Sequence, residues 1–375
     1  MNKKICYITT IPGTMGFFKD QLNYLDENGF DVTVICSYGK QLREKINPSV
    51  HYIPVEIPRG ISIIGSLRAV KNLFKIFQEQ NFDLIQYSTP NAAFYASIAA
   101  KKAGCKVRNY HLMGFRYLGA SGIWRTILKA IEKVTCANST AIECVSQSNM
   151  EWGISEGLFP REKVSVIWNG STGGVDLIRF SDKNRAKWRD EVRRELGLSE
   201  RDFVYGFVGR ITRDKGVNEL LEAYFSLSSN AKLLLIGRLE NKETLNAALL
   251  ERAQNDPNVI VHAAVSDIER YYAALDILLL PSYREGFGNV VIEAAAVGNA
   301  AIVSDIPGPT DAIERGKTAL VVPVKNAEAL AEAMRQIRLM DYNAMGQAAA
   351  KFAREKFDSS VLCEKVLAKK EELLR

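Results

Sequence analysis

A chain of 375 residues is too long for one ordinary hydrophobic core and suits two domains. Apolar residues at 47% and charged residues at 25% describe a soluble globular composition, with no apolar run of the roughly 18 residues that a membrane span needs. The formal charge of +6 lies in the first half: residues 1–170 carry 20 Lys/Arg against 13 Asp/Glu, the remainder 29 against 30.

That asymmetry leaves two readings open. One is an ordinary solvated surface; the other is an anionic partner met only by the first half, such as a membrane face or a phosphorylated acceptor. The basic residues are spread rather than interleaved with aromatics, which argues against nucleic acid. Six cysteines are scattered without a Cys-x-x-Cys pair, which fits a reduced compartment and not a zinc site. The apolar stretch after Lys4 soon meets Gly13, Gly16, Lys19 and Asp20, so no signal peptide is expected.

In chain order, short apolar runs predict strands at 5–10, 32–37, 83–87, 107–112, 141–146 and 164–168. Helical periodicity lies between them at 17–28, 65–79, 92–103, 122–136 and 149–156. The second half repeats the pattern, with strands at 203–208, 232–236, 259–262, 277–281, 301–303 and 320–322. Its helices fall at 217–227, 242–252, 267–275, 289–297 and 327–336, and two more close the chain at 345–357 and 360–373. Apolar runs without strict alternation, separated by helices, predict an α/β fold of two doubly wound parallel sheets. The boundary falls in the glycine-rich stretch Gly170-Ser171-Thr172-Gly173-Gly174. It gives domains 1–172 and 173–357, with the helix 358–375 packing back on the first and the glycines serving as a hinge.

Ligands in such sheets bind beyond the carboxyl ends of the strands, and three second-half strands end in groups suited to phosphate. After 203–208 comes Gly209-Arg210-Ile211-Thr212-Arg213-Asp214-Lys215-Gly216, where Arg210 offers a planar fork and Lys215 a mobile point charge. After 277–281 comes Ser282-Tyr283-Arg284-Glu285-Gly286-Phe287-Gly288-Asn289, leading into the helix that carries Glu293. Glycines there let backbone N–H groups approach an anion at a helix N-terminus, and a carboxylate one turn on suits paired sugar hydroxyls. Ser304-Asp305-Ile306-Pro307-Gly308-Pro309 is a third loop, which turn chemistry alone explains.

Taken together, Gly-Arg-x4-Lys-Gly, then Tyr-Tyr-x3-Asp-Ile-x-Leu-Leu-Pro-Ser, then Glu-Gly-Phe-Gly-x4-Glu closely resemble the retaining glycosyltransferases of family 4, most strongly over 204–323. The resemblance implies the GT-B architecture, two Rossmann-like domains facing a central cleft. It implies that Arg210 and Lys215 bind the donor diphosphate and that Glu293 holds the ribose. Glu285 and the Gly286, Phe287, Gly288, Asn289 backbone would then meet the transferred sugar and its phosphate. The first half resembles the bacterial enzymes that extend sugars on polyprenyl-diphosphate carriers for capsule and O-antigen. The matching stretches are Thr9-Thr10-Ile11-Pro12-Gly13-Thr14-Met15, Gly114-Phe115-Arg116-Tyr117, Cys144-Val145-Ser146, Asn169-Gly170-Ser171 and Gly174-Val175-Asp176. This implies a cytoplasmic enzyme held peripherally at the inner membrane, with Gly13 in the donor loop and Arg116 on the acceptor side.

Many relatives carry His where Met113 stands, and His111 lies two residues earlier. On a strand these two positions share a face. His111 is therefore either an acid–base group or a hydrogen-bonded histidine at a strand end. Positions 123, 124, 127, 128 and 131 form an apolar stripe beside Arg125, Lys129 and Lys133. This helix either packs on the sheet or lays Trp124, Arg125 and Lys129 against an anionic membrane.

No Asp-x-Asp is present to hold a metal on the diphosphate, so the expected chemistry is leaving-group stabilisation by cations, without an obligatory metal or other cofactor. Hinge closure would exclude water. Retention follows from the resemblance alone, as does uridine as the base, and guanosine stays open. A two-domain sugar-nucleotide epimerase, a transferase acting on a soluble acceptor and a non-catalytic nucleotide-binding module remain as alternatives. A nicotinamide dehydrogenase is disfavoured, because no Gly-x-Gly-x-x-Gly follows the first strand.

Overall fold

The structure, a computed structural model, describes residues 2–58, 60 and 63–375. Its contacts divide the chain into two compact units, Met1–Gly173 with Ser359–Arg375, and Gly174–Asp358.

Unit 1 holds strands β1 (Lys4–Ile8), β2 (Asp31–Cys36), β3 (His51–Pro54), β4 (Leu84–Tyr87), β5 (Val107–Leu112), β6 (Ala141–Cys144) and β7 (Val164–Ser165). They form one sheet in the order β3-β2-β1-β4-β5-β6-β7, and every pairing is parallel. The continuous apolar runs have a direct cause. Ile5 and Tyr7 of β1 point into one core layer, Cys6 and Ile8 into the other, so both faces of the strand are buried. Helices α1 (Lys19–Glu27), α2 (Ile63–Gln80), α3 (Pro90–Lys102), α4 (Gly122–Asn138) and α5 (Gln147–Ser155) cover those faces. Ala69, Leu73 and Phe77 of α2, with Ala92, Ala96 and Ala99 of α3, fill one layer; Leu22 and Leu25 of α1 fill the other.

Unit 2 holds β8 (Val204–Val208), β9 (Lys232–Ile236), β10 (Val259–His262), β11 (Ile277–Leu280), β12 (Ala300–Ser304) and β13 (Ala319–Val322). Their order is β10-β9-β8-β11-β12-β13, again wholly parallel. Its helices are α6 (Arg185–Glu195), α7 (Val217–Phe225), α8 (Ala247–Asn255), α9 (Ile268–Ala274), α10 (Asn289–Ala296), α11 (Ala327–Ile337) and α12 (Tyr342–Lys356). Leu220 of α7, Leu250 of α8 and Met334 of α11 share one core layer. The last helix, α13 (Ser359–Leu373), lies in unit 1, where Leu367 and Leu373 pack in the layer of Leu22 and Leu25.

Three elements differ from the sequence reading. β3 carries no apolar run, because it is the outer strand of its sheet and its residues are half-buried or exposed. The strand expected at 164–168 ends at Ser165, since the backbone turns at Trp168 with φ +52°. The helix expected at 242–252 breaks after Lys242–Thr244 and restarts at Ala247, where the Asn246 side chain accepts from the N–H groups of Ala248 and Leu249. Among the described residues no helix is long and apolar enough to cross a membrane.

Candidate functional site

Each sheet reverses its strand order once, between β1 and β4 in unit 1 and between β8 and β11 in unit 2. Diverging helices leave a crevice at such a switch point, and loops leaving its carboxyl edge line it. In unit 2 those are the two loops with phosphate-binding potential, Gly209–Gly216 after β8 and Pro281–Gly288 after β11. They touch closely. Gly216, at φ +71°, lies against the Pro281 carbonyl, which an added Cβ would meet at 2.0 Å, and Tyr283 N–H donates to the Asp214 carbonyl at 2.9 Å.

Side chains complete the arrangement. Lys215 Nζ donates to Glu285 Oε1 at 2.5 Å, and Ser282 Oγ donates to the same oxygen at 2.8 Å. Asp214 gathers three neighbours, accepting from Thr212 Oγ1 at 2.6 Å, Arg284 Nη2 at 3.1 Å and Arg210 Nη2 at 3.4 Å. Burial opposes charge on Asp214, but the Thr212 hydroxyl and the Arg284, Arg210 and Lys215 cations together hold its carboxyl below the ordinary value. Arg210 keeps 45% of its side chain exposed and, among the described residues, reaches only Asp214 and Glu240, at 3.4 and 3.5 Å. Ion pairs so loose and exposed are worth little, so its guanidinium can turn to a stronger anion.

Beyond Gly288, at φ +95°, α10 begins at Asn289, and its first turn presents the positive end of the helix dipole. Glu293, one turn further, does not meet Arg210 or Lys215. Its Oε2 accepts from Tyr272 Oη of α9 at 2.9 Å. Burial raises the Glu293 carboxyl above its ordinary value, and the Tyr272 hydrogen bond works against that rise. Asp305, in the third loop, pairs with Arg315, and both side chains are more than half exposed.

In unit 1, Thr10 and Thr89 join the loops after β1 and β4 through hydroxyls 2.7 Å apart. Gly13 is exposed in the single helical turn Pro12–Met15, with nothing within 4 Å of an added Cβ. Arg116 donates to Asn91 Oδ1 at 2.8 Å, at the start of α3. His111 is buried at 6% exposure, with its ring between Glu143 and Thr172. Of the α4 stripe, Leu128 and Ile131 pack inward, but Ile123, Trp124 and Ile127 stand 72%, 54% and 37% exposed. Packing on the sheet therefore accounts for two of the five positions, and Glu132, Thr135 and Cys136 are the residues of this helix that face the core. Arg125 sits over the Tyr117 ring at 5.5 Å, and Lys129 pairs with Glu156 at 2.6 Å.

Asp214, Arg284 and Tyr272 were not singled out by the sequence reading. Asp214 and Arg284 lie inside the quoted motifs, so position was visible, but which carboxylate aligns which cation depends on two loops meeting. Among the described residues, no three His, Cys, Asp or Glu side chains group to hold a metal ion.

Two Rossmann-like parallel sheets, the second with a cationic loop pair at its switch point, define the GT-B class of glycosyltransferases. Solved structures agree in fold: a sucrose-phosphate synthase from Thermosynechococcus elongatus superposes with a TM-score of 0.81 at 18% identity, covering 99% of both chains. Anabaena Alr3699/HepE, solved in complex with UDP, gives 0.79 at 18% identity over 99% of this chain and 100% of that one. The chain belongs to the glycosyltransferases, with residues 17–171 matching the family described as Glycosyltransferase Family 4 and residues 189–354 matching Glycosyl transferases group 1. It is 28% identical to the capsular polysaccharide biosynthesis glycosyltransferase CapM of Staphylococcus aureus, over 97% of this chain and 96% of that protein. It is 25% identical to the UDP-Gal:alpha-D-GlcNAc-diphosphoundecaprenol alpha-1,3-galactosyltransferase of Escherichia coli, over 81% and 80% of the two chains.

Proposed function

We propose that this glycosyltransferase moves a sugar from a UDP-sugar to a saccharide carried on a polyprenyl diphosphate, with retention at the anomeric carbon, in the synthesis of a bacterial surface glycan. The observation that carries the reading is the cluster at the unit 2 switch point, where Lys215, Arg210 and Arg284 converge on carboxylates that align them. A donor diphosphate takes the exposed face of Arg210 and draws Lys215 from Glu285. Charge-assisted bonds of this kind are worth roughly 1.5–3 kcal/mol each. They strengthen as the sugar–phosphate bond breaks and charge collects on the leaving diphosphate, so no metal is required. Glu293, aligned by Tyr272, binds the ribose hydroxyls, and the acceptor hydroxyl attacks from the face the diphosphate leaves. The activities named for the Escherichia coli relative, and for the Campylobacter jejuni N,N'-diacetylbacillosaminyl-diphospho-undecaprenol alpha-1,3-N-acetylgalactosaminyltransferase, 29% identical over 70% of each chain, favour a lipid-linked acceptor.

The acceptor's lipid places the enzyme at the membrane face. Ile123, Trp124 and Ile127 are exposed on α4, which also carries Arg125 and Lys133, and Ile64 and Leu67 of α2 stand at 70% and 68% exposure. Both helices start at the carboxyl edge of the unit 1 sheet, and residues from each line one cavity of about 80 Å³ with Arg116 and Asn91. Exposed apolar side chains on a helix that also carries cations suit an anionic bilayer.

The test is a panel of nucleotide sugars against short lipid-diphosphate saccharides, with product stereochemistry read by NMR. Transfer with retention, undiminished by chelators, is expected. An inverted product or chelator-dependent turnover removes the mechanism, and solvent deuterium entering the donor sugar without acceptor marks an epimerase. Sedimentation with anionic vesicles should be lost on charge reversal at Arg125, Lys129 and Lys133; no binding at low salt removes the membrane reading.

A further inference from the structure

Unit 1 buries a set of charges that the proposed reaction does not use. Lys370 of α13 has no exposed surface, and its Nζ donates to Glu143 Oε1 of β6 at 2.5 Å. Glu143 Oε2 faces His111 Nδ1 of β5 at 3.6 Å, and His111 Nε2 lies 3.4 Å from Thr172 Oγ1. Gln21 of α1 donates its Nε2 to the Thr172 carbonyl. A carboxylate and an ammonium removed from water cost several kcal/mol each unless paired, so a fully enclosed pair needs a reason.

The protonation states follow from the surroundings. Burial opposes charge on Glu143, but Lys370 and His111 prevail and pull its carboxyl down to about 2. Burial lowers the His111 pKa and outweighs the rise that Glu143 brings, and Lys370 lowers it further, which leaves the ring neutral near pH 7. Tyr7 and Cys144, packed nearby, are kept neutral by burial; Cys363 acts on Tyr7, and Lys369, next to Lys370 in the chain, lowers the Lys370 pKa. Among the described residues Glu143 Oε2 and His111 Nδ1 have no other partner. The single ring proton therefore belongs on Nδ1, toward the carboxylate, and Nε2 accepts from the Thr172 hydroxyl. The order hydroxyl, imidazole, carboxylate resembles a nucleophile relay, but Thr172 is 3% exposed and no substrate reaches it.

These contacts end on backbone that needs holding. Trp168 and Ser171 have φ of +52° and +68°. A left-handed backbone at a residue with a Cβ is strained and persists only where neighbours over-determine it. Ser171 N–H donates to the Val145 carbonyl at 2.7 Å, and Gly173 lies against the Phe17 carbonyl. The chain leaves unit 1 after Gly173 and re-enters at Ser359, the first residue of α13.

We propose that Lys370 is a positioning residue: by compensating Glu143 it fixes the neutral Nδ1–H form of His111, which in turn holds Thr172 and the strained 168–173 segment in the one conformation that turnover requires. The device is independent of which sugar is transferred.

The test follows the His111 imidazole nitrogens by NMR against pH in the full chain, with hydrogen exchange at the Ser171 amide and steady-state kinetics beside it. Lys370→Met leaves Glu143 with His111 as its only partner. The His111 pKa should then rise by about one unit or more, Ser171 should exchange faster, and kcat should fall roughly ten- to a hundredfold with donor KM unchanged. The double variant Glu143→Gln/Lys370→Met carries no charge, and its amide oxygen still accepts from Nδ1–H. It should restore the neutral ring, the slow exchange and most of kcat. If Lys370→Met cannot fold but the double variant folds and turns over, the proposal stands. Wild-type behaviour of the single variant, or equal impairment or unfolding of both, overturns it and reduces Lys370 to a packing residue.

Discussion

Replacing Gly216 by alanine isolates what brings the two phosphate loops together. At φ +71° the residue is left-handed, which costs an alanine about 1–2 kcal/mol. The added Cβ would also stand 2.0 Å from the Pro281 carbonyl oxygen and 2.7 Å from its carbon. Backbone must therefore yield by about 1 Å, and forced repacking of this kind costs about 1–3 kcal/mol. Gly197 supplies the control within the same unit. Its φ is +69°, but nothing lies within 4 Å of an added Cβ, so Gly197→Ala shows the backbone cost alone. Urea unfolding should place Gly216→Ala about 1–3 kcal/mol below Gly197→Ala. Because Lys215 is the preceding residue and its ammonium spans to Glu285, a 1 Å displacement should also lower turnover roughly a hundredfold, while Gly197→Ala stays near wild type. Equal stability and equal turnover for the two variants would refute the idea that this contact sets the geometry.

Other consequences are as direct. Arg210→Ala should depress turnover at least about tenfold more than Asp305→Ala, since Asp305 pairs with exposed Arg315; equal effects in steady-state kinetics would overturn the ranking of the loops. Tyr272→Phe removes the donor to Glu293 and should raise donor KM about five- to tenfold with kcat little changed; an unchanged KM would detach Glu293 from the donor. Burial pushes the Glu132 carboxyl up to about 7 against the hydrogen bond from Tyr110. Its raised pKa makes folding progressively less favourable as pH rises from 4.5 to 7, by about 3 kcal/mol at most above that window. Glu132→Gln should therefore raise Tm at pH 8 and not at pH 4.5, and a shift equal at both would contradict the assignment.

The two sheets were legible because fully buried parallel strands write themselves as unbroken apolar runs, as in Ile277–Leu280. The edge strand His51–Pro54 was not, because a half-exposed strand has no such run. Arg210, Lys215, Glu285 and Glu293 were readable as types at strand ends. Lys215 and Glu285 do meet, but Glu293 turns to Tyr272, a partner the helical spacing did not reveal. His111 was visible only as a lone histidine. Its environment comes from Glu143 and from Lys370, and Lys370 is 227 residues from Glu143 along the chain, so no local pattern could announce it. The α4 stripe had the spacing of a core helix, yet its first turns are exposed, Trp124 among them.

The most direct test is a crystal structure with UDP. The diphosphate should lie at the carboxyl ends of β8 and β11, within hydrogen-bond reach of Arg210, with Lys215 Nζ moved from Glu285 onto a phosphate oxygen. A diphosphate bound elsewhere, with Lys215 still 2.5 Å from Glu285, would contradict the account.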